Sequence, residues 1–213
     1  MDELHRQLIR IGLDALAKDY GYALADGYAV QAHHIVNRVS DDVDLFAPFE
    51  RASREMSQAA ERITTAYEAA GYSVEQAHVT PIYTRLNVTD PASGAQSKVE
   101  LVAEFLHHTP VESDLGPVLH RDDVAAGKTS ALFTRAEVRD AIDASGLLKA
   151  GYTREQLMEL AAQNDAGFDR RMFADSLGRV QRYTDKQFAA YDLTPEEATA
   201  IRDTFADWQQ QLL

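Results

Sequence analysis

The sequence predicts an α+β fold in which a small mixed sheet with flanking helices is followed by a C-terminal helical lobe. Between residues 72 and 105, apolar residues recur with a period of two, which is typical of strands. From about residue 122 onward they recur at helical spacing. The 213 residues are enough to bury a sizeable core. The change of pattern predicts two lobes, residues 1–118 and 119–213.

The front lobe alternates helices with strands. Its predicted elements, in chain order, are a helix over 3–19, a strand over 22–25, a helix over 29–36, a strand over 43–46, a helix over 50–70 and strands over 72–75, 82–88 and 99–102. Between the last two strands, Pro91 presets its φ and Gly94 takes a positive φ, so the segment 90–94 predicts a turn. Residues 80–105 are therefore expected to form a hairpin.

The back lobe is predicted to contain only helices. They cover residues 122–133, 136–148, 154–164, 169–182 and 184–190, and a last helix starts at Pro195, since proline is common at the first helical position. Asp122 or Asp123 is expected to cap the first of them. Gln156 follows Thr153 by three residues, which predicts a capping box.

The composition excludes several classes of protein. The chain has no cysteine, so disulfides and thiolate metal sites are excluded. It has no run of 18 apolar residues and no signal-peptide pattern, so we expect a cytoplasmic protein without membrane spans. The net charge of −13 argues against non-specific binding to nucleic acids or anionic membranes. Two groups of basic residues could form a local groove or simply be solvated helix faces. They are Lys98, Arg121, Lys128, Arg135 and Arg139, and Arg170, Arg171, Arg179 and Arg182.

The most informative segment is the predicted strand that carries Asp42 and Asp44. In a strand, residues i and i+2 point to the same face, so the two carboxylates project together. Carboxylate oxygens are the ligands that Mg²⁺ prefers, and Mg²⁺ also binds the phosphates of nucleoside triphosphates. A third carboxylate is expected from a neighbouring strand. Glu100 on the return strand of the hairpin is the candidate, and Glu104 on the same face is the alternative.

An Asp-x-Asp pair alone is a weak signal, because roughly five acidic pairs of this spacing arise by chance in so acidic a chain. Its context strengthens it. A short strand, a glycine turn and a helix precede the pair, and apolar residues surround it. The segment 126–129 resembles the end of a phosphate-binding loop, but Asp122 occupies the earlier position that requires glycine, so we discard that interpretation.

The segment 24–46 resembles the nucleotidyltransferases of the AbiEii toxin type, which include the MenT toxins. Their pattern is an apolar residue followed by Gly-Gly-x-Ala, a helix, and then Arg-x-Ser/Thr-x-Asp-x-Asp. The matching residues are Gly27, Ala29, Arg38, Ser40, Asp42 and Asp44. Asp26 stands where the first glycine is expected. The resemblance implies a polymerase β-like nucleotidyltransferase fold.

A second block around residues 119–143 is similar to the second conserved block of the same family. The resemblance implies that Lys128 contacts the nucleotide phosphates and that Asp143, or Asp140, orients Lys128 or the base. The implied catalytic residues are Asp42, Asp44, Glu100, Lys128 and Asp143, of which the first three hold the metal. The implied nucleotide-binding residues are Gly27, Tyr28, Arg38, Ser40, Lys128, Arg135, Arg139 and Asp140.

The resemblance implies a Mg²⁺-dependent toxin of a type IV-like toxin–antitoxin system. It would act as a monomer, transfer a nucleoside monophosphate from an NTP to a tRNA 3′ end, and have a cognate antitoxin. Two alternatives stay open. The acceptor could be a protein hydroxyl or a small cationic molecule, which the negative charge favours, or the chain could be a degenerate binding module, which Asp26 favours. A phosphate on Ser40 would add negative charge near Asp42, so Ser40 is a predicted regulatory site.

Overall fold

The computed structural model describes residues 2–38 and 40–213. They form two compact units, which we call the sheet unit, Met1–Ala32 with Val39–His120, and the helical unit, His33–Arg38 with Arg121–Leu213. The division after residue 120 is close to the predicted boundary at 118. The short segment His33–Arg38 differs from the prediction, because it belongs to the helical unit although it precedes most of the sheet in the chain.

The sheet unit has seven strands and three helices among its described residues. In chain order they are α1 Glu3–Tyr20, β1 Ala23–Leu24, α2 Asp26–Ala32, β2 Asp42–Pro48, α3 Phe49–Ala69, β3 Ser73–Val79, β4 Tyr83–Thr89, β5 Gln96–Glu104, β6 Val111–Ser113 and β7 Gly116–Val118. The strand order is β3-β4-β5-β2-β1-β7-β6. The β2–β5 and β1–β7 pairs are parallel and the other pairs are antiparallel. The predicted mixed sheet with flanking helices is confirmed.

One face of the sheet is buried beneath α1 and α3. Alternate residues of the central strands, among them Val43, Leu45, Val99 and Leu101, have no solvent exposure. Helix α1 lies so close that a Cβ on Gly12 would stand 3.0 Å from a methyl carbon of Leu45. The residues between them point to the opposite face, which carries the charged side chains and which we call the polar face.

Three local predictions for the sheet unit were wrong. The second helix is Asp26–Ala32 and not 29–36. A single residue separates it from β1, so the glycine that was expected to form a turn is the second residue of the helix. Strand β3 continues to Val79, through a register shift between Gln76 and His78. The β6–β7 hairpin was missed, since its strands have only three residues each and two prolines interrupt the pattern.

The helical unit contains six helices among its described residues. They are α4 Arg121–Thr134, α5 Val138–Lys149, α6 Arg154–Asn164, α7 Arg170–Val180, α8 Asp185–Ala189 and α9 Pro195–Leu212. The predicted capping box at Thr153 and Gln156 and the proline that opens α9 are confirmed. Asp122 and Asp123 are not caps, because α4 already starts at Arg121.

Aromatic side chains fill the core of the helical unit. Phe173 and Trp208 pack edge to face with their ring centroids 5.2 Å apart, and Phe205 stacks on Trp208. The segment His33–Arg38 joins this core through α5, where a Cβ on Gly146 would lie 2.2 Å from a methyl carbon of Val36. Glycine is therefore needed at position 146 to let the segment lie against the helix.

In the described part of the chain, none of the helices combines the length and the hydrophobicity that crossing a bilayer requires.

Candidate active site

The polar face of the sheet unit brings three carboxylates together on neighbouring strands. Strands β2 and β5 run parallel, with Asp44 level with Glu100 and Asp42 level with Lys98. The residues on either side of Asp44 in β2, Val43 and Leu45, are fully buried on the opposite face. Asp42, Asp44 and Glu100 therefore project from one face, within the distance that separates adjacent strands and alternate residues.

Glu104, the alternative third carboxylate, lies elsewhere. It is level with Pro48 at the end of β2, four residues beyond Glu100, which corresponds to about 13 Å along the strand. Its Oε1 accepts a hydrogen bond of 2.8 Å from the backbone N–H of Phe105. Glu100 is therefore the glutamate that can share a ligand with Asp44.

Asp42 has a buried oxygen that is suited to bind a metal. Its Oδ1 is inaccessible to solvent and accepts no hydrogen bond from any residue in the described ranges. The nearest positive charge is Nζ of Lys98 at 3.7 Å, which is an ion pair beyond hydrogen-bond distance. Desolvating a carboxylate oxygen without a hydrogen bond is costly. Binding of a divalent cation would compensate for that cost, so the residues present fit Mg²⁺.

Besides Lys98, a second basic side chain, Arg85, lies beside the carboxylates on the same face. Arg85 on β4 is level with Glu100, and its Nε and one terminal nitrogen lie 2.9 and 2.8 Å from Oε1 of that carboxylate. The negative charge of Glu100 raises the pKa of the guanidinium. Burial, together with the neighbouring Glu100, raises the pKa of the Tyr83 phenol to about 12, so Tyr83 stays neutral beside this pair.

The start of α2 differs from the glycine turn that the sequence suggested. The residue with a positive φ is Asp26, at 44°, and not Gly27. Aspartate tolerates this left-handed region better than most residues, although glycine adopts it without a Cβ penalty. The backbone N–H of Ala25 donates a 2.9 Å hydrogen bond to the carbonyl of Asp44, which ties the turn to the carboxylate strand.

A buried hydrogen-bond network, which the sequence gave no reason to expect, supports this strand. The ring of His5 in α1 contacts the Tyr28 hydroxyl through Nδ1 and lies 2.8 Å from Oγ of Ser97 through Nε2. The Tyr28 hydroxyl is also 3.4 Å from the carbonyl of Ser40, and Oγ of Ser40 donates to the carbonyl of Asp42 at 3.3 Å. Burial lowers the pKa of His5, although Asp2, Asp42 and Asp41 oppose this effect.

A cavity of about 530 Å³ opens on the sheet unit next to Asp42. Its lining consists of Asp41, Asp42, Ser73, Glu75, Asn87, Thr89, Gln96, Ser97 and Lys98. All nine side chains are polar, and three carboxylates face one lysine. Such a lining is suited to an uncharged or cationic group rich in hydrogen-bonding atoms and provides no aromatic surface for stacking.

The helical unit contains a buried ionic cluster built on Asp143. Nε and a terminal nitrogen of Arg38 donate to its two oxygens at 2.6 and 2.7 Å, and Nζ of Lys128 lies 3.0 Å from Oδ2. Arg38, Lys128 and Asp143 are 6%, 2% and 0% exposed. Asp143 thus contacts both Lys128 and Arg38.

The profile of one protein family matches almost the whole chain. This family is described as nucleotidyl transferase AbiEii toxin, type IV TA system, and the match covers residues 22–212. The chain belongs to the AbiEii nucleotidyltransferase toxin family. It is therefore a nucleotidyltransferase and a toxin of the toxin–antitoxin type, and membership implies a nucleotide substrate and a cognate antitoxin. Enzymes of this kind generally use a divalent metal.

Solved structures share the fold of this AbiEii-family chain. JHP933 from Helicobacter pylori has a TM-score of 0.60 and 15% identity over 99% of this chain and 91% of its own. A putative nucleotidyltransferase from H. pylori has a TM-score of 0.60 and 17% identity over 100% and 97%. The nucleotidyltransferase toxin MenT4 from Mycobacterium tuberculosis has a TM-score of 0.58 and 14% identity over 98% and 86%. No curated protein matches the chain in sequence.

In the second block of the AbiEii-family chain, residues 119–143, charged side chains near the start of α5 pair with one another. Asp140 is fully buried, accepts two hydrogen bonds of 2.9 and 2.8 Å from Arg135, and also accepts one from the N–H of Glu137 at the start of α5. Arg139 pairs with Glu137 at 2.9 Å. Direct contact of Arg135 or Arg139 with a nucleotide would require these ion pairs to open.

Proposed function

We propose that this toxin transfers a nucleoside monophosphate from an NTP to a tRNA 3′ end in a Mg²⁺-dependent reaction. The observation that carries the proposal is the group of three carboxylates on β2 and β5, in which Oδ1 of Asp42 is buried without a hydrogen bond from the described residues. The tRNA acceptor is the one that the resemblance of residues 24–46 and 119–143 to the AbiEii and MenT toxins implies. We also propose that it acts in the cytoplasm as a monomer.

In this proposal Asp42, Asp44 and Glu100 hold the metal. When bound, Mg²⁺ supplies charge neutralisation of the triphosphate and orients the α-phosphorus for in-line attack. The acceptor hydroxyl forms a bond to the α-phosphorus, while the bond to the bridging oxygen breaks. Pyrophosphate leaves with that electron pair, and the hydroxyl proton passes to water. The carboxylates fix the geometry of this exchange from rigid strands.

The remaining family residues are proposed to bind and position the nucleotide. Lys128 is proposed to contact the phosphates, with Asp143 orienting it, and Arg38 to stabilise that arrangement. The further proposed nucleotide-binding residues are Gly27, Tyr28, Ser40, Arg135, Arg139 and Asp140. For Tyr28, the burial of the ring and its contact with His5 favour a positioning role over direct contact.

The proposal is tested by incubating the protein with total tRNA, Mg²⁺ and each labelled NTP in turn. We expect label on tRNA from at least one NTP, and none with Asp42→Ala. Asp14→Ala, on an exposed position of α1, is the matched control and should retain full activity. Absence of label on tRNA with all four NTPs would contradict the tRNA acceptor.

The acidic cavity supports a second candidate acceptor, a small cationic molecule or a protein hydroxyl. Three carboxylates in its lining would attract an amine and repel an RNA phosphate. Label that appears in an aminated sugar or in protein, and not in tRNA, would favour this candidate. Calorimetry with each NTP and Mg²⁺ tests the non-catalytic alternative, which the absence of binding of all four NTPs would favour.

Ser40 is proposed as a regulatory position. Its hydroxyl donates to the carbonyl of Asp42, and a phosphate there would add about −1.5 to −2 charges beside the carboxylates. Ser40 is only 6% exposed, so modification requires the segment to open locally. We expect Ser40→Asp to be much less active than Ser40→Ala, and equal activity of the two variants would contradict this role.

A further inference from the structure

The basic side chains of the polar face are arranged as partners of the carboxylates proposed to bind metal. Lys98 lies level with Asp42 and its Nζ is 3.7 Å from Oδ1, while Arg85 holds Oε1 of Glu100 with two nitrogens. Each cation comes from a strand next to the carboxylate that it faces. Both are accessible, since the side chains of Lys98 and Arg85 are 52% and 42% exposed.

We infer that Lys98 and Arg85 are counter-ions that the metal displaces, and that once displaced they bind a phosphate group of the substrate. The inference rests on the proposed function, because it takes Asp42, Asp44 and Glu100 as the metal ligands. It assigns a phosphate site to two residues outside the segments 24–46 and 119–143 that carry the resemblance to the family.

The charge balance of the polar face favours this exchange. Among the five groups that face one another, Asp42, Asp44 and Glu100 against Lys98 and Arg85 leave one net negative charge, and one divalent ion changes this local sum to one net positive charge. Asp41 and Glu75 add negative charge to the adjoining cavity, so this group attracts a cation first and a phosphate only once the metal is bound. Lys98 and Arg85 are long side chains that can swing away from a carboxylate while their Cα atoms stay fixed in the sheet.

The position of Lys98 strengthens the assignment. It lines the cavity together with Asp42, and it is the one basic side chain among the described residues of that lining. Lys98 is therefore the lining side chain that can pair with a phosphate placed beside the metal. Arg85 has the planar fork that pairs two oxygens of a carboxylate or a phosphate, and in this structure Glu100 occupies it.

Displaced counter-ions couple the two ligands. Metal binding must overcome the pairing of Lys98 and Arg85 with the carboxylates, and phosphate binding requires those cations to be released. By linkage, each ligand then raises the affinity of the other by the same factor. Removal of Lys98 or Arg85 should therefore raise the affinity for the metal and lower the affinity for the phosphate. A purely structural residue would weaken both.

The test measures binding without turnover. In calorimetric titrations of Mn²⁺ alone, we expect Lys98→Met and Arg85→Gln to bind about threefold to tenfold tighter than the wild type, since a repulsive neighbour is lost. In titrations of inorganic pyrophosphate into protein saturated with Mg²⁺, the same variants should bind about tenfold more weakly. Arg62→Gln and Lys149→Met, which remove exposed cations elsewhere, should change neither affinity.

The outcomes separate this inference from the proposed function. If the wild type binds no Mn²⁺, or Asp44→Asn binds it equally well, the proposed metal site fails. If the metal site holds but the Lys98 and Arg85 variants match the wild type, or weaken both ligands, the inference alone is overturned. A titration with a short RNA, in place of pyrophosphate, identifies the source of the phosphate. If the variants bind pyrophosphate more weakly, the phosphate belongs to the NTP. If they bind only the RNA more weakly, the phosphate belongs to the acceptor.

Discussion

The sheet unit and the helical unit each place carboxylates beside two basic side chains, but the two arrangements differ in burial and in balance. In the helical unit, Asp143 is fully buried and is shared by Arg38 and Lys128 at 2.6 to 3.0 Å. In the sheet unit, the three carboxylates of β2 and β5 lie beside Lys98 and Arg85, whose side chains are half exposed.

This difference separates a cluster whose charges hold one another in place from a group whose cations can be displaced. Breaking a buried ion pair leaves a charge without compensation in a medium of low polarity, which is strongly unfavourable. Exposed pairs exchange with water at little cost. The helical unit thus keeps its charges in place, whereas the polar face of the sheet unit can release its cations when a metal arrives.

The largest expected effect is on stability, from Asp143→Ala in the helical unit. Arg38 and Lys128 would lose their shared carboxylate while buried, so we expect the free energy of unfolding to fall by about 3–5 kcal/mol. Trp208, the only tryptophan, lies in the core of this unit, so its fluorescence during urea denaturation reports the loss.

The matched change in the sheet unit is Asp42→Ala. We expect the free energy of unfolding to stay within about 1 kcal/mol of the wild type, because Oδ1 of Asp42 accepts no hydrogen bond from the described residues and its ion-pair partner Lys98 is half exposed. Metal binding should be lost. If Asp42→Ala destabilises the protein as much as Asp143→Ala does, the contrast between the two regions is wrong.

A smaller effect is expected from pH between 7 and 5, through His5 in the buried network under the carboxylates. Burial lowers the pKa of His5 below 6.5, so the unfolded chain binds the proton more readily than the folded one. The contribution of His5 to stability is therefore complete above pH 6.5 and is lost as the pH falls below it, by at most about 1.4 kcal/mol per pH unit.

The measurement is the free energy of unfolding between pH 7 and 5, followed by far-ultraviolet circular dichroism. His5→Gln keeps a hydrogen-bonding side chain but cannot titrate, so its stability should fall less steeply with pH than that of the wild type. The neighbouring carboxylates Asp2, Asp41 and Asp42 are present in both proteins, so the difference isolates His5. Parallel slopes for the two proteins would contradict a neutral buried His5.

Local sequence patterns were sufficient to place Asp42 and Asp44 on one face, but they were insufficient to place Glu100 beside them. The alternation in β2 predicted that Asp42 and Asp44 share a face. The hairpin also had a fixed register, because residues 90–95 join Thr89 to Gln96, and counting back in pairs places Arg85 opposite Glu100. The pairing of Arg85 with Glu100 can therefore be derived from the sequence, although it was not among the predictions.

The alignment of Asp44 with Glu100 could not be derived in this way. The two strands are parallel and are joined by a long connection, so no turn sets their register. His5 gave no signal either, since its partner Ser97 is 92 residues away and a lone histidine in an amphipathic helix has no distinguishing pattern. The membership of Arg38 in the helical unit likewise depends on packing against α5.

The smallest expected effect comes from the turn beside the carboxylates, where Asp26 occupies a glycine position of the family pattern. Its φ of 44° is in the left-handed region, so Asp26→Gly should stabilise the protein by about 0.5–1 kcal/mol through relief of strain. Asp26→Asn removes the charge but retains the Cβ, and it should give little of this gain. The free energy of unfolding, followed by circular dichroism, distinguishes backbone strain from charge. A gain in Asp26→Gly alone assigns the effect to the positive φ, whereas an equal gain in both variants would assign it to the charge of Asp26 and would contradict the strain at this position.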